Sequence, residues 1–187
     1  IFVCYRPDIG YVQGMSYIAA ILLLYLDGEY ESFVAFANLI SQHFCFDFIS
    51  LRKEQIDIHL RVFDHFFEKK LPVLFHHFQA QGVHSDVYYL EWCFTLFVKC
   101  LPLDAVTRIW DSYLLLGECF CIRAALGILR MYAEHLRLME MEQILQFLQD
   151  IPSDLNIDEL FHNISELHIS PSTCSKVYAR MVKPGEA

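Results

Sequence analysis

The sequence has few basic residues and few helix-breaking residues. It contains 14 Lys+Arg against 23 Asp+Glu, for a formal net charge of −9, and it has no Lys/Arg-rich run. Because nucleic-acid binding depends on cations that neutralise phosphates, we expect no nucleic-acid ligand. Only 7 Gly and 6 Pro occur among 187 residues, whereas hydrophobic residues make up 55%. This composition excludes intrinsic disorder and favours a compact domain.

The sequence also lacks the cysteine and histidine spacings of a metal site. Its seven cysteines are scattered through apolar segments without any CxxC pair. His76 and His77 are adjacent, so on a helix their side chains diverge by about 100°. We therefore expect reduced thiols and no metal.

No uninterrupted apolar run is long enough for a membrane span. The longest uncharged stretch, Ile9–Leu26, is interrupted near Gln13, which leaves an apolar core of Met15–Leu26. A run of that length predicts a buried core helix. No basic region precedes it, as a signal peptide would require, and a chain that begins with Ile1 is expected to start further upstream.

Apolar residues recur at helical spacing, and alternating strand patterns are nearly absent, so the sequence predicts an all-α fold. The pattern is clearest where Ile56, Leu60, Phe63 and Phe67 step along one face. We expect a compact array of about eight or nine helices in one domain, residues 1–168, followed by a polar tail, 169–187. The predicted helices cover 14–26, a segment through 33–40, 52–70, 72–82, 85–100, 104–116, 120–138, 140–149 and 157–167, and a further helix is predicted in the tail at 176–182.

One segment departs from the amphipathic pattern. Gly10 and Gly14 bracket Tyr11 and Gln13, so two of the chain's seven glycines fall within five residues. A structural interpretation is that Gly10 ends a turn, Gly14 makes a packing contact and Gln13 is solvated at a helix start. The alternative is a surface shaped to meet a partner, since glycine lets the backbone approach a neighbour closely. The residues alone leave both open.

Four groups of residues, in order, resemble the motifs of the TBC domain, the GTPase-activating domain for Rab-type small GTPases. The resemblance covers about residues 5–165, and its first segment, Tyr5–Leu26, is most similar to the branch linked to recycling endosomes and autophagy. The motifs are Tyr5-x-Pro7-x-x-Gly10-Tyr11-Val12-Gln13-Gly14-Met15; Leu71-Pro72-x-Leu74-x-x-His77-Phe78; Trp92-x-x-x-Leu96-Phe97 with Leu101-Pro102; and Arg108-Ile109-Trp110-Asp111 with Gly117 and Ala124-x-Leu126-x-Ile128-Leu129.

The resemblance implies a protein that accelerates GTP hydrolysis by a partner and is not itself the enzyme. TBC domains use an arginine finger and the glutamine of YxQ, which here is Gln13. A neutral amide can orient water and donate to phosphate, whereas a carboxylate would repel the phosphates. Tyr11, Gly10 and Gly14 would support this finger or contact the partner.

The resemblance also implies the cellular setting. The partner is a Rab-family GTPase that itself holds GTP and Mg²⁺, so we expect no cofactor on this chain. The implied role is regulation of vesicle trafficking and intracellular protein transport. We expect a cytoplasmic protein, peripheral to endosomal, Golgi or autophagic membranes and in contact with them only indirectly.

The sequence departs from the family pattern at the arginine finger. None of the residues before Gln13 forms the family's IxxDxxR motif, and Arg6 belongs to the lead-in to the glutamine motif. We expect the arginine roughly thirty to forty residues upstream of Gln13, by resemblance to the family, and little activity from these residues alone. A helical module that binds a Rab or another trafficking protein without accelerating hydrolysis is the alternative.

The remaining motif residues are interpreted as structural. Trp92 and Trp110 lie on apolar helix faces, which favours core packing. Asp111 is expected to cap a helix or pair with an arginine such as Arg108 or Arg123. If upstream helices complete the domain, an exposed apolar patch should lie near the first helix.

Overall fold

The computed structural model describes residues 1–182, which form thirteen helices and no strand. The helices exceed the predicted eight or nine because the short α1, α4 and α10 carry too few residues to show periodicity. Their bounds are α1 Phe2–Tyr5, α2 Met15–Tyr25, α3 Glu29–Ser41, α4 His43–Ile49, α5 Lys53–Lys70, α6 Pro72–Ala80, α7 Ser85–Phe94, α8 Leu103–Leu116, α9 Cys119–Met131, α10 Ala133–Leu136, α11 Met141–Gln149, α12 Ile157–Ser165 and α13 Pro171–Val182.

Helix α9 is the centre of the fold. Its residues from Cys119 to Leu129 are buried almost all round, with Arg123 half-buried. A helix that is apolar on every side has to be covered on every side. Helices α8, α12, α7 and α10 provide that cover.

Helix α5 buries a wider face than the predicted stripe. Phe63 and Phe67 are buried as expected, whereas Ile56 and Leu60 are only half-buried. The reason is that α6 and α7 cover one side of α5 and α13 covers another. The predicted tail helix thus exists, begins earlier at Pro171, and packs on the domain; residues 183–187 lie outside the described residues.

Three helices end in a Schellman motif, in which the chain turns through a left-handed residue. After α6 that residue is Gly82, and the N–H of Val83, the next residue, donates to the Phe78 carbonyl at 2.8 Å. After α7 it is Leu96, and after α4 it is Leu51. The end near Gly82 was predictable from glycine, whereas the other two carry no glycine signal.

The predicted helix 85–100 begins where expected, at Ser85, but its predicted end is wrong. It stops at Phe94 because Leu96 and Phe97 have φ of 45° and 67°, which no α-helix contains. Ser85 is its first helical residue, and His84 is the N-cap without a side-chain cap bond.

Helix α2 is buried on one face only, so the expectation of a buried core helix holds in part. Met15, Ile18 and Ile21 face the core, whereas Leu23 and Leu24 are 55% and 69% exposed. Helices α1, α2 and α3 enclose an open apolar groove of about 440 Å³. Its walls include Phe2, Met15, Ala19, Leu23, Phe33 and Phe36. The expected apolar patch near the first helix is therefore present.

The cysteines form no disulfide, and all except Cys4 are buried. The part of the chain that the structure describes contains no cluster of three or more His, Cys, Asp or Glu able to hold a metal. Within residues 1–182, no single helix is long and apolar enough to cross a membrane. The pair α3 and α4, bent by 86° at their junction, meets the length and composition test only when the two are taken together.

Candidate functional site

Gln13 lies in the turn that leads into α2, with its side chain exposed. Gly10 has φ of 71° and ends the preceding turn, where its N–H bonds to the Arg6 carbonyl at 3.2 Å. Gly14 is the N-cap of α2 with φ of 111°. Within residues 1–182 the Gln13 amide makes no hydrogen bond, so it is free to bond a ligand. These positions fit the structural interpretation of each residue and leave the functional one available.

Gly14 is the point where the glutamine turn contacts α7. A Cβ at Gly14 would lie 3.0 Å from the Phe94 carbonyl oxygen and 3.4 Å from the Phe94 Cβ, closer than side chains normally approach. The close approach and the positive φ both favour glycine. The backbone next to Gln13 therefore lies against the last residue of α7.

A cleft of about 550 Å³ opens beside Gln13. Its walls come from the start of α2, the turn after α4, the exposed face of α7 and the end of α11. We call it the Gln13 cleft, and its main lining residues are Gln13, Tyr17, Leu51, Val87, Leu90 and Phe94. Segments far apart in sequence build it, so it is a property of the fold.

The rim of the Gln13 cleft is polar. Lys99 forms an ion pair with Glu91, and Asp86 and Gln149 lie on the same rim. The first turn of α2 has no side-chain cap bond, so its N–H groups carry the partial positive charge of a helix N-terminus next to Gln13. The cleft combines apolar walls, charged groups and the amides of Gln13 and Gln149, neither of which has a hydrogen-bond partner within residues 1–182.

Tyr11 separates the Gln13 cleft from the apolar groove, since it lines both. Its ring is 63% exposed, and its hydroxyl lies 3.4 Å from the Ser16 Oγ. Residues 11–13 are not helical, so Tyr11 and Gln13 are not related by a helical turn. Tyr11 is placed to contact a partner on either side.

Both tryptophans are buried, as predicted, and each ties two elements together. The Trp92 indole N–H donates to the Leu148 carbonyl at 3.1 Å, which joins α7 to α11. The Trp110 indole N–H donates to the Leu96 carbonyl at 2.9 Å, which joins α8 to the turn after α7. Two of the motifs therefore meet at the turn that follows Phe94, the wall residue touching Gly14.

The prediction for Asp111 is wrong. Arg108 instead pairs with Asp158 at 2.8 Å, and its guanidinium lies 4.3 Å from the centroid of the Phe161 ring. Arg123 lies over the Phe120 ring. Asp111 is exposed and forms no ion pair within residues 1–182. Arg108 contacts α12 through Asp158 and Phe161, and its nearness to Asp111 in the sequence does not predict these contacts.

Arg6 is held by its own neighbour. Its guanidinium bonds both carboxylate oxygens of Asp8, at 2.8 and 2.7 Å, and lies 5.8 Å from the Phe46 ring centroid. These contacts fix the loop before Gly10. They agree with the interpretation of Arg6 as part of the lead-in to the glutamine motif.

Two features were missed from the sequence. His59 is buried on α5 and lies 3.1 Å from the buried Asp47 carboxylate of α4. Burial lowers the pKa of His59, and the hydrogen bond that its ring donates to the Asp47 carboxylate opposes this effect. The second is the left-handed Leu51 on the wall of the Gln13 cleft. Neither has a local sequence signal.

The fold is a helical array with an exposed glutamine at the start of an apolar helix, and comparison with known proteins identifies the family. The family model of the Rab-GTPase-TBC domain matches residues 1–137. The chain belongs to this family.

Curated relatives extend the match over nearly the whole chain. "TBC1 domain family member 12" of Xenopus tropicalis is 41% identical over 97% of this chain and 27% of its own length. "TBC1 domain family member 14" of Homo sapiens is 42% identical over 90% of this chain and 24% of its own. The chain thus spans about a quarter of the length of these relatives.

Solved structures share the fold. The Chlamydomonas flagellar RabGAP TBC domain superposes with a TM-score of 0.77 at 26% identity, covering 88% of this chain and 56% of that one. The Ypt/Rab-GAP domain of Gyp1p gives a TM-score of 0.68 at 20% identity, covering 89% and 61%. The all-α prediction is confirmed.

Proposed function

We propose that this chain is part of an activator that accelerates GTP hydrolysis by a Rab-family small GTPase. The observation that carries the proposal is Gln13, an exposed amide without a hydrogen-bond partner in the described chain, held at the start of α2 by Gly14 against Phe94. Membership of the Rab-GTPase-TBC domain family supports the choice of partner.

Accelerated GTP hydrolysis requires a group that orients the attacking water. The Gln13 carbonyl oxygen accepts a hydrogen bond from that water, and its amide NH₂ donates to a phosphate oxygen or to partner backbone. The N-terminus of α2 adds partial positive charge near the developing negative charge of the γ-phosphoryl group. GTP and Mg²⁺ are held by the GTPase, so this chain supplies positioning and electrostatics only.

The arginine finger is a separate part of the proposal. Arg6 is engaged by Asp8, and no IxxDxxR motif stands before Gln13, so the family pattern places the arginine upstream of these residues. Such a finger is worth roughly 10³ to 10⁵ in rate. These residues alone therefore bind the GTPase but stimulate it weakly.

The same proposal gives a cellular role. The protein acts in vesicle trafficking and intracellular transport, in the cytoplasm at endosomal, Golgi or autophagic membranes, and reaches them through the GTPase. The similarity of Tyr5–Leu26 to the endosomal and autophagic branch of the family supports this location.

The test is single-turnover GTP hydrolysis by a panel of Rab-type GTPases, with the protein expressed at its full encoded length. Gln13→Ala is expected to lower the stimulated rate by roughly 10² or more, because one transition-state contact is removed. Gln146→Ala is the matched control, since Gln146 is an exposed glutamine on α11 that lies outside the Gln13 cleft.

Two results would contradict the proposal. If no GTPase is stimulated but one binds tightly, the chain belongs to a binding module and the alternative function holds. If a GTPase is stimulated equally by wild type and Gln13→Ala, the glutamine-finger role is wrong.

A further inference from the structure

We infer that Leu51 is a docking residue for the GTP-loaded GTPase and determines how tightly it binds. This inference rests on the proposed function for the identity of the partner. It assigns a role to a residue outside the four sequence motifs, on a different segment of the Gln13 cleft from the glutamine itself.

The first argument is the backbone at Leu51. Leu51 follows the α4 C-cap Ser50 with φ of 52°, and the N–H groups of Leu51 and Arg52 bond back to the carbonyls of Phe48 and Asp47 at 3.0 and 3.3 Å. This is the Schellman position that glycine normally occupies, because a Cβ is disfavoured in a left-handed conformation. Leucine at this place lowers the stability of the helix end.

The second argument is a comparison with the other Schellman ends of the same chain. After α6 the position is Gly82, which avoids the strain. After α7 it is Leu96, whose side chain is only 2% exposed, so its burial offsets the strain. Leu51 is 60% exposed, so it has no glycine and much less burial to offset the strain. A strained residue whose side chain is mostly in solvent points to a function.

The third argument is location. Leu51 and Gln13 line the same cleft of about 550 Å³. When Gln13 reaches the γ-phosphate, the GTPase surface around the nucleotide has to lie over that cleft. A standard protein interface covers about 800 Å² on each partner, so an interface that covers Gln13 is large enough to include Leu51 on the same cleft.

The surroundings of Leu51 fit an interface centre. Val87 and Tyr17 on the same cleft are 50% and 39% exposed, and Glu91 and Lys99 form the charged rim. Apolar anchors enclosed by polar rims are the usual arrangement of binding hot spots. The partner surface is therefore apolar where it faces Leu51 and polar where it faces the Glu91–Lys99 pair.

The experiment compares Leu51→Gly and Leu51→Asn with Leu138→Gly, in the protein at its full encoded length. Leu138 is an 86% exposed leucine outside the Gln13 cleft, so it controls for loss of an exposed leucine. Three quantities are measured: the KM and kcat for stimulated GTP hydrolysis, the dissociation constant for the GTPase loaded with a non-hydrolysable GTP analogue, and the melting temperature.

Both Leu51 variants are expected to raise KM and the dissociation constant about tenfold or more, with kcat within about threefold of wild type. Leu51→Gly is expected to melt at the same temperature as wild type or higher, because glycine relieves the left-handed strain. Leu138→Gly should leave KM unchanged. A purely structural leucine would show the opposite pattern, with melting lowered and binding unchanged.

The inference is overturned if the Leu51 variants bind with wild-type affinity, or if both lose the fold. Failure of the proposed function looks different. In that case wild type neither binds nor stimulates any GTPase, and the docking inference is wrong as well. If Gln13→Ala abolishes stimulation while Leu51→Gly keeps the wild-type KM, only the docking inference is wrong.

Discussion

Gly14 holds Gln13 in place through contact of its backbone with Phe94. We expect Gly14→Ala to lower the unfolding free energy by about 1–3 kcal/mol, because the added Cβ meets the Phe94 carbonyl and the left-handed φ is strained. Displacement of Gln13 should lower the stimulated rate by at least about tenfold. Denaturant unfolding and single-turnover hydrolysis measure the two effects.

Gly10→Ala is the control for this prediction. Gly10 has a similar positive φ, but a Cβ there meets nothing within 4 Å. Gly10→Ala therefore introduces backbone strain without a new contact. An equal loss of rate in both variants would show that strain in the turn, and not the approach to Phe94, positions Gln13.

His59 predicts how stability depends on pH. Burial holds its pKa below the ordinary 6.5, and Asp47, Glu118 and His43 are the ionisable groups that act on it. As pH falls below about 6.5, the unfolded chain binds a proton at this position that the folded chain resists. The stabilising contribution of neutral His59 is thus complete above that pH and declines below it.

The measurement is the unfolding free energy between pH 8 and pH 5. Wild type should lose stability on the acid side, and His59→Gln should flatten this part of the profile. A variant profile with the same slope as wild type would assign the acid sensitivity to other groups.

The sequence was informative about Gln13 and silent about Leu51. The position of Gln13 before an apolar helix, between two glycines, indicated an exposed amide at a helix start, and that is where it lies. No sequence pattern marks Leu51, because its unusual feature is a backbone angle set by the Schellman turn between α4 and α5. The His59–Asp47 contact joins two helices and likewise has no signal in the local sequence.

At the scale of elements, α9 and α12 approach closely at Gly127. A Cβ there would lie 2.3 Å from the Ile164 Cγ1 and 3.3 Å from the Ile164 backbone. We expect Gly127→Ala to lower the unfolding free energy by about 1–3 kcal/mol through overpacking. Denaturant unfolding of the purified protein measures the loss.

A double-mutant cycle with Ile164→Ala tests the cause. Removal of the Ile164 side chain makes room for the new methyl group, so the double variant should be more stable than the sum of the two single losses implies. Additive losses would show that Gly127 matters for another reason than this contact.

The predicted helices were correct where both ends carry a chemical signal. Pro72 begins α6 and Gly117, with φ of 78°, ends α8, as predicted. The predicted helix ends were wrong where tertiary packing determines the end of the helix. Leu96 and Phe97 are 2% and 0% exposed, so burial of these side chains stabilises a turn that local propensity does not favour.

For the whole molecule, the thiols give a simple prediction. Six of the seven cysteines are buried, and only Cys4 is exposed. Burial also raises the pKa of the Cys45 thiol to about 11, which lowers its thiolate fraction. Cys119 has a lowered pKa, first from its hydrogen bond with Cys174, but its side chain is buried.

We therefore expect one fast-reacting thiol in the native chain and seven after denaturation, measured with a chromogenic disulfide reagent. Cys4→Ser should remove the fast phase. A fast phase that survives this substitution would mean that a buried helix opens readily in solution.

The Gln13 cleft shows why the site was only partly predictable. Its walls come from the turns near Gln13 and Leu51, from α7 and from Gln149 at the end of α11. Helical periodicity identifies each helix but does not say which exposed faces share a cleft. That information exists only in the packing of these elements against α7.

The two tryptophans give the molecule its own optical reporter. Both are buried; the Trp92 indole N–H donates to the Leu148 carbonyl of α11, and the Trp110 indole N–H donates to the Leu96 carbonyl in the turn after α7. Native emission should therefore be blue-shifted, and a red shift should report loss of this turn. Neither indole lines the Gln13 cleft. With tryptophan-selective excitation and a GTPase that contains no tryptophan, a change in the emission of these two residues would therefore signal movement of the cleft wall and not direct contact with the indoles.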